Sequence, residues 1–186
     1  LTNWTASSAG PVRSHKPATG SDPVDDATPS TKETSVATVT EVLTNERENI
    51  LDAAAIALER SNLPHYAQAG PTAARERLAR LLALVLQSVD TRDLVPMSEH
   101  ATHIAHERFD AGVDIHEVQS AFNVLEEAIW VRVVAATPPA ELAESLGLVG
   151  TVLGTGRDTL ACTYVSLATR QHVPSLDLSA LFRGGR

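Results

Sequence analysis

The sequence predicts an all-α fold, a helical bundle of about five to six helices behind a disordered N-terminal tail. Apolar residues recur at steps of three and four from Ser35 onward, and no segment sustains the strict alternation of a half-buried strand. Residues 1–37 behave differently: they hold four of the ten prolines and twelve Ser or Thr, with no apolar periodicity. Such a stretch cannot bury enough surface to offset the entropy of ordering it. It reads as a simple disordered tail, or as a phosphorylatable or partner-binding arm. The chain therefore divides into a tail (1–37), a helical domain (38–172) and a C-terminal tail (173–186) carrying a short amphipathic segment.

The first helix is expected from about Val39 to Ser61, with Val42, Leu43, Ile50, Ala54, Ala57 and Leu58 along one side and Asn62, Leu63 and Pro64 as its stop. The second starts at Pro71, a first-turn position where the missing amide donor is harmless, and runs through Leu78, Leu81, Leu82, Val85 and Val89. Its other face is Arg75, Arg77 and Arg80. The third opens at Pro96 and spans to Ala111, where Gly112 supplies the left-handed position that ends helices.

The fourth helix begins at Asp114, a natural N-cap, with Glu117 at capping-box spacing. Ile115, Val118, Phe122, Leu125 and Ile129 form one apolar stripe, and Ala121, Val124, Ala128, Val131 and Ala135 a second beside it. A helix apolar over two adjoining stripes is either central to the bundle or meets another subunit. Its polar face ends in Trp130, which reads as a lid on the core or an interface residue. The interface candidates are thus Ala121, Val124, Ala128, Trp130, Val131 and Ala135, in a homodimer. The fifth helix starts at Pro138 and Pro139 and carries Gly147, Gly150, Gly154 and Gly156 in its middle. Those glycines point to close helix approach or to a break near 154–156, more than to a ligand beside exposed backbone.

Composition excludes several function classes. Apolar stretches are interrupted by Arg, Glu, Gln or Asn well before the ~18 residues a membrane span needs. A net charge of −8 lacks the footprint of a nucleic-acid binder. The single cysteine, Cys162, cannot form an internal disulfide, which suits a reducing, cytoplasmic setting without a secretory signal. All twelve basic residues after position 37 are arginine, as GC-rich coding sequence favours.

Candidate chemistry is sparse. His100, His103 and His106 fan over one side of a helix. Met97, Ala101, Ile104 and Ala105 set that helix's inward direction, which leaves His103 and His106 toward solvent and His100 on the flank. They are the weak candidates for a metal site, with a polar helix face as the plainer reading; neither a metal nor a cofactor is expected. The run His106-Glu107-Arg108-Phe109 resembles the phosphoaccepting segment of histidine kinases, but the following Thr-Pro of that family is missing. Cys162 reads as an inert packed thiol. Neighbouring carboxylates at Glu126-Glu127 point about 100° apart on a helix, so they form no dyad and read as solvated charge.

The run Arg108-Phe109-Asp110-Ala111-Gly112-Val113-Asp114-Ile115-His116-Glu117-Val118, continuing through Ala121-Phe122, Leu125 and Ala128-Ile129-Trp130, resembles the N-terminal domains of RsbT co-antagonist (RsbR, RsbRD) proteins. Similar segments precede PucR-type regulators. The resemblance covers about 45–170 and is most specific over 108–130. It implies a globin-like sensory domain that binds no haem, dimerises and passes a signal to an output domain or partner. No output domain fits after residue 170, so the chain is expected to be the sensory module alone. Leu178, Leu181 and Phe182 would dock on the bundle or on a partner as a short helix. Haem is disfavoured by the residues themselves, since His100 lies on a flank and aromatic residues make up 4% of the chain. The expected function is a stand-alone regulatory or sensory domain acting through protein–protein contacts in stress signalling or transcription control, with no catalytic activity. The alternative is a haem- or metal-binding sensor, or a histidine phosphotransfer protein, using His100, His103 or His106.

Overall fold

Thr38 starts the first helix by reciprocal capping. Glu41 N donates to Thr38 Oγ1 at 3.3 Å and Thr38 N donates to Glu41 Oε2 at 2.8 Å, which satisfies two end donors at once. The computed structural model describes residues 38–172, and among them the fold is all-α, with six helices and no strand. They are α1 (Val39–Asn45), α2 (Arg47–Arg60), α3 (Pro64–Thr91), α4 (Val95–Asp110), α5 (Ile115–Ala136) and α6 (Pro139–His172). The expectations for the tail 1–37 and for Leu178, Leu181 and Phe182 lie outside the described residues.

Local chemistry explains most boundaries. The helix expected over 39–61 is interrupted at Glu46, whose φ of −94° and ψ of 8° leave helical geometry for one residue. Pro64 does stop the preceding helix, but it also sits in the first turn of α3, ahead of the start expected at Pro71. Gly70, at φ 82° and ψ 164°, then kinks α3, and the helix resumes with Pro71 leading the new first turn. Gly112 takes the left-handed conformation expected of it (φ 70°). Asp114 caps α5, its carboxylate accepting from His116 N at 2.7 Å. Its capping box is incomplete, because Glu117 reaches another helix instead.

α5 packs against each of the other five helices, as α3 does too, and α5 meets α2 and α6 most extensively, so it lies at the centre of the bundle beside α3. Val118, Ala121, Phe122, Leu125, Ala128, Ile129 and Val133 are buried along it. The second apolar stripe consequently splits. Ala121 and Ala128 belong to the protein's own core and Val124 is half-buried, whereas Val131 and Ala135 face outward.

α6 runs unbroken through its glycines, against the break expected near 154–156, and makes its closest packing with α4. Gly156 provides the close approach: a Cβ there would stand 2.6 Å from Phe122 Cε1 and 3.0 Å from Met97 Sδ. Tyr164 ties the same helix to the α4–α5 loop. Its hydroxyl donates to Val113 O at 3.3 Å, and its ring meets Phe109 edge-on at 5.7 Å. Burial pushes its pKa up to about 12, so it remains a donor throughout the physiological range.

Candidate functional site

The first turn of α3 places His65 and Tyr66 side by side, their rings edge-to-face with centroids 5.8 Å apart. Amides of a helix's first turn have no intrahelical acceptor, and here the Glu117 carboxylate of α5 accepts from His65 N at 2.8 Å. Two guanidinium groups converge on the same histidine. Arg77 Nη1, from the next turns of α3, lies 3.2 Å from His65 Nε2, and Arg108 Nη1, from the end of α4, lies 3.0 Å from it. Guanidinium can only donate, so Nε2 is the acceptor and the imidazole is neutral. Burial, then the charges of Arg108 and Arg77, lower the His65 pKa, in agreement with that assignment.

Arg77 also stands over the Tyr66 ring, 5.6 Å from its centroid, a cation–π contact. Its pKa is lowered by burial and by Arg108. Arg108 is largely buried, its side chain 14% exposed, and among the described residues it pairs with the Glu107 carboxylate at 3.5 Å. Burial is the main cause that raises the Tyr66 pKa, while the arginines oppose it.

Tyr66, Arg77, Glu107 and Arg108 of this group also wall a cavity of about 60 Å³ between α3, α4 and α5. Tyr66, Arg77, Arg80 and Arg108 supply its polar lining with His100, His103 and Glu107. Leu81, Ile104, Val118, Ala121 and Phe122 supply the apolar lining, and Phe122 is fully buried. Arg80 makes no hydrogen bond or ion pair among the described residues. The arrangement offers converging N–H donors and positive charge over hydrocarbon, which suits holding an anion.

The three histidines singled out in the sequence are not brought together on one site. His100 is half-buried on the cavity wall, with its pKa lowered first by burial and then by Arg80. His103 is exposed at the rim, and His106 is exposed in a separate groove beside Cys162. Among the described residues no group of three or more His, Cys, Asp or Glu side chains is placed to hold a metal ion. Cys162 is exposed, not packed, because α6 turns that face outward. Glu126 is likewise not solvated charge: it is half-buried and paired with Arg157, which also donates to Asn123 Oδ1 at 3.2 Å, while Glu127 is exposed. His65, Tyr66 and Arg108 escaped the sequence reading as a group. The one available signal was the Arg77–Arg80 pair on a helix otherwise built for packing.

The outer surface of α5 holds the rest of the candidate set. Trp130, Val131 and Val134 are 45%, 60% and 54% exposed, and Ala135 is exposed beside them. Val124 and Val131 border a groove between α5 and α2 lined by Ala53, Ala57 and Arg132. Comparison of the chain with protein-family models, with curated proteins and with solved structures found no match.

Proposed function

We propose that this chain is a regulatory helical domain of the RsbT co-antagonist kind, without catalytic activity, that acts by contacting proteins and pairs first with a second copy of itself. The observation that carries this reading is the exposed apolar end of α5. Trp130, Val131 and Val134 project from a helix that packs against all five others, so whatever covers them bears directly on the core. Aromatic residues with few charges around them are the compositional mark of interface cores. The segment that carries the family resemblance, 108–130, contains the end of α4, the Gly112 turn and the Asp114-capped start of α5. No helix among the described residues is long and apolar enough to cross a membrane.

The test is the light-scattering mass of the full chain and of Val131→Glu, alongside helical circular dichroism. The parent is expected to be a dimer at tens of micromolar. Val131→Glu should be monomeric with unchanged helicity, because an unpaired charge in a desolvated interface is strongly unfavourable while the same charge on an exposed face is not. A monomeric parent overturns the pairing. Stoichiometric zinc or iron by elemental analysis, or a Soret band, would overturn the reading as a whole.

A further inference from the structure

Arg77 and Arg108 share the single lone pair of His65 Nε2, so two part-buried cations have one neutral acceptor between them. Each guanidinium has five N–H donors, and beyond His65 the remaining polar partner among the described residues is Glu107, 3.5 Å from Arg108. Arg80 adds a third positive charge to the same lining, without a hydrogen-bond or ion-pair partner among the described residues. The cavity lining thus holds three arginines against one glutamate in a protein whose net charge is −8. That concentration of positive charge runs against the composition of the whole chain.

We propose that this cavity binds a short-chain carboxylate, with the carboxylate between Arg77, Arg80 and Arg108 and its few carbons against Leu81, Ile104 and Phe122. Three features select that chemistry. Guanidinium groups match a planar carboxylate with paired N–H donors. Leu81, Ile104, Val118, Ala121 and Phe122 make part of the lining hydrocarbon, against which the outer oxygens of a phosphate would stay unpaired at a high desolvation cost, whereas methylene groups gain by burial. The volume of about 60 Å³ is far below the ~300–1,000 Å³ of sites for drug-sized ligands, so the ligand has only a few heavy atoms. The site is independent of the pairing of two chains, since none of its residues lies on the exposed end of α5.

The experiment is calorimetric titration of the full chain with acetate, propionate and butyrate, and separately with inorganic phosphate, in a carboxylate-free buffer. Saturable one-to-one binding is expected, tightening roughly fourfold per added methylene until the cavity is filled. Arg77→Gln and Arg80→Gln should each weaken it by about tenfold or more, the loss of a charge-assisted hydrogen bond. Arg92→Gln, which breaks a surface pair with Glu144 outside this cavity, should leave it unchanged. Circular dichroism accompanies each variant, and if Arg77→Gln fails to fold the exposed Arg80 decides the matter. The proposal is overturned if no carboxylate binds saturably, if phosphate binds more tightly than every carboxylate, or if Arg80→Gln binds as the parent does.

Discussion

Adding one methyl group at Gly156 sets two effects of similar size against each other. Alanine is favoured over glycine in a helix interior by up to ~1 kcal/mol. Its Cβ would, however, meet Phe122 and Met97, both fully buried, and overpacking of that kind costs about 1–3 kcal/mol. Gly156→Ala should therefore lower the urea midpoint, whereas Gly154→Ala, with nothing within 4 Å of the new Cβ, should raise it by the helix-propensity gain. Equal shifts in the same direction would refute the close approach of α6 to the core. Ser88 gives the converse case. Its hydroxyl is buried without a hydrogen-bond partner among the described residues, and an unsatisfied buried polar group costs about 1–3 kcal/mol. Ser88→Ala should stabilise the protein in the same denaturation experiment.

Among the helices, the parts readable from sequence are those governed by neighbours in the chain. Asp114, Gly112 and the inward stripe of α5 all follow from backbone chemistry within one or two turns, and the structure places each as expected, while Pro71 leads only the part of α3 beyond the Gly70 kink. The interruption at Glu46 carries no Gly or Pro to announce it, and the short turn after Pro64 looked like a stop because the same proline serves both ends. Glu117 shows the limit most clearly. Its local spacing promises a capping box for α5, yet it accepts from His65 N, 52 residues away in sequence, so it caps α3 instead. The candidate site was illegible for that reason: His65, Arg77 and Arg108 meet only once α3 and α4 are packed, and no local period marks them as a set. Two caps in one region allow a comparison. Asp114→Ala should cost about 1 kcal/mol through loss of the α5 cap. Glu117→Ala should cost a similar amount by exposing the start of α3, and hydrogen exchange should then quicken at His65 and Tyr66, not at the start of α5. Faster exchange confined to α5 would contradict the assignment of Glu117 to α3.

For the molecule as a whole, the neutral histidines tie stability to pH. The pKa values of His65 and His100 are lowered from the ordinary 6.5 by burial and by nearby arginines, so the unfolded chain binds those protons more readily than the folded one. Their contribution is intact above about pH 6.5 and is lost progressively as pH falls below it. The thermal midpoint should drop between neutral and mildly acidic pH, and His65→Gln, which keeps an acceptor for the two arginines but cannot titrate, should flatten the slope; an unchanged slope would show that His65 is not the group responsible. The claim on which the functional reading rests is that the outer end of α5 is covered by a second copy. Trp130 reports this directly, and Trp4→Phe leaves it as the one tryptophan of the chain. The decisive measurement is iodide quenching of Trp130 emission in that background, with and without Val131→Glu. A shielded tryptophan is expected that becomes freely quenched in the Val131→Glu chain, at unchanged helicity; equally strong quenching in both would place Trp130 in solvent from the start and contradict the pairing.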